Sequence, residues 1–404
     1  MKKLNVSFAG LMGSYDIVIG SISAYSVVFL VANGFDEFQI GMVTSLANLL
    51  ASFIQPWLGG KVDRSVRLNL VHVNVMIVIP SLALLIGLFF SQKIFLLVAI
   101  MYTLVLMLQA TLMPFMSATG VFLMNNGFKL NYGVCRAVES ASFALTSTIL
   151  GILITRMGHN SILMMAIIGY SLYLFMLRHL FKHYLQALFN HHIDNVKLNT
   201  VEVALKASEV SFFKKYAHFK YIVFGSFCFF VGHNFINLFM LQIIENVGGN
   251  TENMGNAIAL AAISEMPIMI LFTRINRRIP SRYLMMVTGI FFLVKTTLTF
   301  TAMTVGGVYL AQVFQVLAFG LYIVASVYYV NHEMANEDKV KGQSLVTTAH
   351  TLGSVVGSLI GGWLINRYDV KYGLFFCIIM SVLGVIAYFF GLIYQPKSKT
   401  LVSK

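Results

Sequence analysis

Apolar stretches of roughly 20 residues alternate with short polar segments along nearly the whole chain. A helix needs roughly 20 residues to cross about 30 Å of hydrocarbon. The pattern therefore predicts twelve transmembrane helices, at about 8–32, 39–60, 68–90, 94–124, 132–155, 160–180, 217–243, 254–273, 282–303, 306–331, 342–365 and 372–394. The longest polar interruption, about 181–216, lies between the sixth and seventh spans. This predicts an all-α membrane protein of twelve transmembrane helices in two six-helix bundles. The N-terminal bundle is expected over 1–184, a central loop over 185–215, and the C-terminal bundle over 216–404.

The two halves repeat each other. "GGKVDRSVR" (59–67) follows the second span and "TRINRRIPSR" (273–282) follows the eighth, which aligns Asp63 with Asn276 (276 − 63 = 213). "GILITRMG" (151–158) ends the fifth span and "GWLINRYD" (362–369) the eleventh, which aligns Arg156 with Arg367 (367 − 156 = 211). Two matches at nearly one offset indicate an internal duplication. Parallel six-span repeats build one large group of secondary transporters, with the solute bound near the midplane between the halves.

Composition agrees with a membrane protein. Of the 404 residues, 58% are hydrophobic and 11% charged, whereas a soluble chain has about a quarter charged. The net charge of +13 is a topology signal rather than a nucleic-acid footprint. With the N-terminus in the cytosol, 22 Lys and Arg fall on inward segments and four, Lys93, Arg156, Arg367 and Lys371, on outward ones. Both termini are then cytosolic and the protein belongs in the cell membrane as a multi-pass chain. The basic start "MKKLN" lacks a cleavage site and is not expected to be a signal peptide.

Three cysteines, all in apolar segments, indicate neither disulfides nor a zinc site. His191 and His192 have no further ligand at a recognised spacing and read as part of a solvated linker. No HExxH, P-loop or dinucleotide fingerprint is present, so the chain is not expected to be an enzyme or to use ATP. No metal or cofactor is expected beyond a proton gradient.

Asp16, Arg136, Glu139, Glu265 and Lys295 fall deep in predicted spans. Each charge costs about 2.5–3.5 kcal/mol on insertion scales, so such residues normally face a cavity, pair with one another, and mark a transport path. Arg136 and Glu139, at i and i+3, share one face of the fifth span. A guanidinium offers five donors in a fixed fork, suited to paired hydroxyls or a carboxylate. Glu265 and Lys295 sit in adjacent spans and are expected to pair. Three acids against two bases leave one carboxylate without a counter-charge, which favours protonation. Asp16, Glu139 and Glu265 are therefore the candidates for proton coupling. Asn234, Asn237, Gln312, Gln315 and His350 are expected to line the C-terminal part of the cavity, and Tyr25, Gln109 and Phe319 to add stacking and hydrogen bonds. Ser140, Ala144, Ser147 and Gly151, spaced along the fifth span, are expected to pack against a neighbouring helix.

"GGKVDRSVR" resembles the signature of the major facilitator superfamily between its second and third spans. Gly59, Asp63, Arg64 and Arg67 are in place, and Val66 replaces the usual glycine. The resemblance implies a cytosolic gate in this loop. "GMVTSLANLLASFIQPWLGGKVDR" (41–64), "NYGVCRAVES" (131–140) and "INRRIPSRYLMM" (275–286) are similar to the lactose permease family of oligosaccharide–proton symporters. By that resemblance Arg136 takes the place of the family's sugar-binding arginine and Lys295 that of an essential arginine. Glu265 lies within a turn of an essential glutamate. The departures are Ser117 for an acid of the fourth span, Gln315 and Ala318 for a histidine and glutamate of the tenth, and Asn234, Asn237 and His350 for the paired charges of the seventh and eleventh.

The combined expectation is a monomeric proton-coupled transporter working by alternating access and importing a sugar, oligosaccharide or similar small polar solute. The alternatives are efflux of small lipophilic compounds, or symport of another class such as aromatic acids or nucleosides. The expected substrate-binding set is Arg136, Glu139, Lys295, Gln315, Asn234, Asn237 and His350.

Overall fold

A computed structural model describes residues 2–64, 70–91, 94–125, 128, 130–190, 212–335 and 338–393. Among the described residues, twelve helices are long and apolar enough to cross a membrane. We label them α1 (Lys3–Ala32), α2 (Glu37–Val62), α3 (Leu70–Ser91), α4 (Phe95–Met124), α5 (Gly133–Met157) and α6 (Asn160–Gln186) in the first half. In the second half they are α7 (Phe219–Leu238), α8 (Thr251–Phe272), α9 (Ser281–Thr301), α10 (Val305–Glu333), α11 (Lys341–Arg367) and α12 (Val370–Leu392). The expected spans are all present. The sixth runs beyond the expected 180, its helix continuing to Asn190. His191 and His192 lie outside the described residues, as does most of the central loop.

Helix packing repeats between the halves. α1 packs on α5 and α6, α4 on α2 and α3, and α3 on α6; α7 packs on α11 and α12, α10 on α8 and α9, and α9 on α12. Loop geometry repeats as well. Gly34 and Gly248, both near φ +80°, are 214 residues apart (248 − 34 = 214) and end equivalent turns. The amide of the next residue, Phe35 or Gly249, donates to the carbonyl of Leu30 or Ile244. Asp36 and Gln39 exchange side-chain to backbone bonds at the head of α2, and Asn250 and Asn253 do so at the head of α8, again 214 residues on (250 − 36 = 214). These reciprocal caps satisfy amides that a helix start otherwise leaves open.

Two seams join the halves, α2 on α11 and α5 on α8. Glycines let the backbones touch. A Cβ on Gly41 would lie 2.3 Å from the Ser358 carbonyl, and one on Gly362 2.2 Å from that of Glu37. In the other seam, a Cβ on Gly255 would lie 2.5 Å from the Ser147 carbonyl, and one on Gly151 3.1 Å from Glu252 Cα. Ser45 Oγ donates to the Val355 carbonyl in the first seam, while Ala144 meets Ala259 and Ala262 in the second. Ala144, Ser147 and Gly151 thus pack on α8, as their small size requires. The glycine contacts lie in the halves of these helices nearer the loops opposite the chain termini.

Towards the termini the halves separate. A core cluster around Phe212, Tyr216, Phe272 and Tyr329 belongs to the second half alone. Gly59 and Gly60, near the end of α2, face open space. Arg67 and the side chains of Asp63 and Arg64 lie outside the described residues, so the gate expected of that loop has no geometry here. In the second half, Asp338 accepts from Lys215 Nζ at 2.6 Å and from Tyr216 Oη at 3.0 Å, tying the loop before α11 to the residues before α7. The Lys215 bond holds the Asp338 carboxyl below its ordinary range.

Candidate functional site: a polar cavity between the halves

Three helices depart from regular geometry where they border the centre of the molecule. α1 widens to a π-turn over Ile19–Ser23, with the Ala24 amide donating to the Ile19 carbonyl at 3.0 Å. A π-turn inside an α-helix is frequent at functional sites. α7 breaks at Phe239, which repeats the break of α1 at Tyr25 (239 − 25 = 214) with similar backbone angles. α10 tightens to a 3-10 turn over Phe314–Val316 and resumes at Phe319. In α4, Pro114 cannot donate to the Ala110 carbonyl. Gln55 Nε2 on α2 takes that carbonyl instead, at 2.9 Å.

These irregular segments border a cavity of about 550 Å3. Its wall comes from α1, α2, α4, α5, α7, α8, α10 and α11, and no lining residue comes from α3, α6, α9 or α12. Asp16, Arg136, Glu139, Asn234, Asn237, Glu265 and Gln315, all expected from the sequence, lie on it, as do Gln109, Gln312 and Phe319. Arg136 Nη1 meets Glu139 Oε2 at 2.7 Å; the Arg136 side chain is 35% exposed and that of Glu139 6%. Arg136 therefore keeps accessible surface while its partner is sealed in. Ser23 Oγ in the π-turn donates to Gln109 Oε1 at 2.6 Å. Across the cavity, Gln315 Nε2 donates to Glu265 Oε1 at 2.8 Å.

Lys295 and His350 are not on the wall. Lys295 sits on α9, which packs on α10 and α12 rather than bordering the cavity. It is 1% exposed, and its ammonium donates to Gln315 Oε1. The direct Glu265–Lys295 pair expected from the sequence is therefore replaced by a relay in which the Gln315 amide joins the two charges. His350 stacks on Phe230 (centroids 3.7 Å apart) and its Nε2 meets Tyr322 Oη at 2.7 Å, so it is occupied inside the second bundle. Tyr25, expected to contribute to the cavity, instead donates to the Ser147 carbonyl at 2.5 Å in the α5–α8 seam.

Sequence reasoning missed His233. It lies on the wall, buried, one residue before Asn234 and one turn before Asn237, whose Nδ2 is 3.0 Å from His233 Nε2. Its ring stacks on Phe319 at 4.4 Å with the planes 8° apart. The visible signal is His233 and Asn237 at i, i+4 in an apolar helix, and a neutral imidazole carries no charge penalty that would mark it.

The relay makes a stability prediction. Gln315→Leu leaves the buried Lys295 ammonium and the half-buried Glu265 carboxylate without their shared partner, a loss of roughly 3 kcal/mol. Thermal unfolding in detergent is expected to show a clearly lowered midpoint. An unchanged midpoint would mean that Lys295 finds another acceptor.

A duplicated twelve-helix bundle with one polar cavity between its halves is the architecture of a major facilitator transporter. The family model described as the MFS_1 like family matches residues 15–377, and the chain belongs to that family. No curated protein matches the chain. Among solved structures, the nucleoside transporter NupG is similar at a TM-score of 0.75 and 15% identity, over 97% of this chain and 100% of that one. A mutant of NupG is similar at 0.73 and 14%, with the same coverage. At these identities the likeness shows the fold.

Proposed function

We propose that the protein imports a nucleoside-class solute together with protons across the cell membrane, by alternating access and as a monomer. The observation that carries the coupling is the charge set on one cavity. Asp16, Glu139 and Glu265 face it with Arg136 as the lining cation among the described residues. A carboxylate without a full counter-charge in a low-dielectric site takes a proton readily, and exposure of the cavity to the opposite side lets it go.

The substrate class rests on two supports. The aromatic pair His233–Phe319 stands on the same wall as amides and charges, which suits a flat ring carrying hydroxyls. NupG, similar in fold, is a nucleoside transporter. Sugar import, the first expectation, lacks the second of these supports, since the family match is to the broader MFS_1 like family and does not single out the lactose permeases. A wall of carboxylates, a guanidinium and amides does not suit lipophilic efflux. With the termini cytosolic, the orientation that the distribution of Lys and Arg supports, the side of the cavity towards the termini faces the cytosol and the glycine seams close it from outside.

The test is uptake of labelled uridine, adenosine and inosine by right-side-out vesicles with an imposed inward proton gradient. Accumulation that a protonophore abolishes is expected. Asp16→Asn or Glu265→Gln is expected to lose accumulation while keeping solute exchange. Gradient-independent behaviour towards all three nucleosides would sink the proposal.

A further inference from the structure

Most polar side chains of the cavity wall have a partner. Ser23 bonds Gln109, Arg136 pairs with Glu139, Gln315 bonds Glu265, and Asn234 Nδ2 donates to the Phe230 carbonyl. Among the described residues, two buried atoms on the wall have neither a hydrogen bond nor an ion pair; Glu139 Oε2, likewise without a hydrogen bond, is ion-paired to Arg136. His233 Nδ1 and Gln312 Oε1 have no hydrogen-bond partner among the described residues. His233 is 7% exposed and Gln312 fully buried. Buried polar atoms are rarely left open, and each such exception calls for a physical reason.

Their positions are informative. Phe319, stacked on His233, lies seven residues beyond Gln312 on α10. Met240, whose Sδ is 4.0 Å from Gln312 Nε2, lies seven residues beyond His233, just past the break that ends α7 at Phe239. Seven residues of helix span about 10 Å. Two separate helices thus set the open atoms about 10 Å apart along the cavity, close to the long dimension of a nucleoside. Glu265 and Gln315 stand between the two levels.

The two atoms also differ in polarity. With Asn237 Nδ2 donating to Nε2, a neutral imidazole carries its proton on Nδ1, which is then a donor. Gln312 Oε1 is an acceptor, because its amide nitrogen is turned to Met240.

We propose that, when the cavity closes about the transported solute, His233 Nδ1 and Gln312 Oε1, sealed from solvent in this state, hold its two ends and set its orientation. The ring end, bearing an acceptor, lies against His233 and Phe319. The sugar end donates a hydroxyl to Gln312, on the side nearer the glycine seams. This rests on the nucleoside reading above and adds the residues that select the solute and the direction in which it lies.

The test is competition against labelled uridine uptake by three analogues. β-D-Ribofuranosylbenzene keeps a flat ring without an acceptor, while 2′,3′-dideoxyuridine and 5′-deoxyuridine between them remove every sugar hydroxyl. In the wild type, ribofuranosylbenzene and at least one deoxy analogue should compete about tenfold or more worse than unlabelled uridine, because each leaves a buried group unpaired. His233→Phe should erase the penalty on ribofuranosylbenzene and keep that on the deoxy analogue. Gln312→Met should do the reverse, so that each variant couples to one end of the solute only. The wild-type series stands as a test even if a variant fails to fold. Equal competition by all analogues in the wild type, or the same loss of both preferences in both variants, overturns the orientation while leaving nucleoside transport intact. Absence of uridine, adenosine and inosine uptake altogether overturns the nucleoside reading, and the orientation with it.

Discussion

Arg136→Lys is expected to reduce uptake by at least about thirtyfold while the protein reaches the membrane in normal amount. A hydrogen bond from a charged group to the solute is worth about 1.5–3 kcal/mol, and about 2 kcal/mol corresponds to that factor. The positive charge survives, so insertion and the neutralisation of Glu139 survive with it. What is lost is the planar fork, one arm of which is engaged by Glu139 at 2.7 Å. The other nitrogens stay available on a side chain 35% exposed to the cavity. A lysine presents three donors at one point and cannot hold a carboxylate and a solute hydroxyl in a fixed relation. Uptake by vesicles, normalised to immunoblotted protein, checks this. Normal uptake by the variant would reduce Arg136 to a side chain that neutralises Glu139 and reaches for the water interface.

The second large effect is expected at the seams. Gly255→Val would place a Cβ 2.5 Å from the Ser147 carbonyl and 2.4 Å from the Tyr25 hydroxyl bonded to it, and the backbone carbonyl cannot swing aside as a side chain can. Gly362→Val would do the same against the Glu37 carbonyl at 2.2 Å. Neither substitution strains an arrangement in which the seams are parted. Both variants should therefore shift the protein towards the state open on the loop side, and net uptake should fall to a small fraction of wild type. A cysteine placed at Asn237 reads this directly. An impermeant thiol reagent added from the loop side should label it faster in the glycine variants than in the parent. The native Cys135, Cys228 and Cys377 are buried and contribute little background. Equal labelling rates would show that the seams open without regard to these glycines.

The hydrophobic pattern carried the architecture because membrane-spanning helices must satisfy their backbone internally, and length and apolarity alone mark them. The duplication was legible from the loops, where Asp63 and Arg156 have counterparts. The structure repeats the same offset in features invisible at that level, such as the positive-φ turns at Gly34 and Gly248. The site was partly legible. A charge deep in a span is costly enough that Asp16, Arg136, Glu139 and Glu265 each pointed to a cavity, and each lines it. Lys295 satisfied the same rule yet stands behind the wall, because cost of burial does not tell a cavity from a polar partner on the next helix. His233 was overlooked for the converse reason, since a neutral imidazole carries no charge penalty to flag it.

The sequence by itself determined the helices, their number, the repeat, the orientation expected of the termini and the charges that had to be hidden or paired. Those properties depend on local composition and on the energetics of one segment in lipid. Only the tertiary structure decided which of the hidden groups face a common space. That choice depends on how twelve helices rotate about their axes when glycines such as Gly41 and Gly255 let two seams close. Helix rotation is set by packing between segments far apart in the chain, and no single segment records it. The same packing places Gln315 between Lys295 and Glu265 and leaves His233 Nδ1 and Gln312 Oε1 without hydrogen-bond partners on one cavity wall.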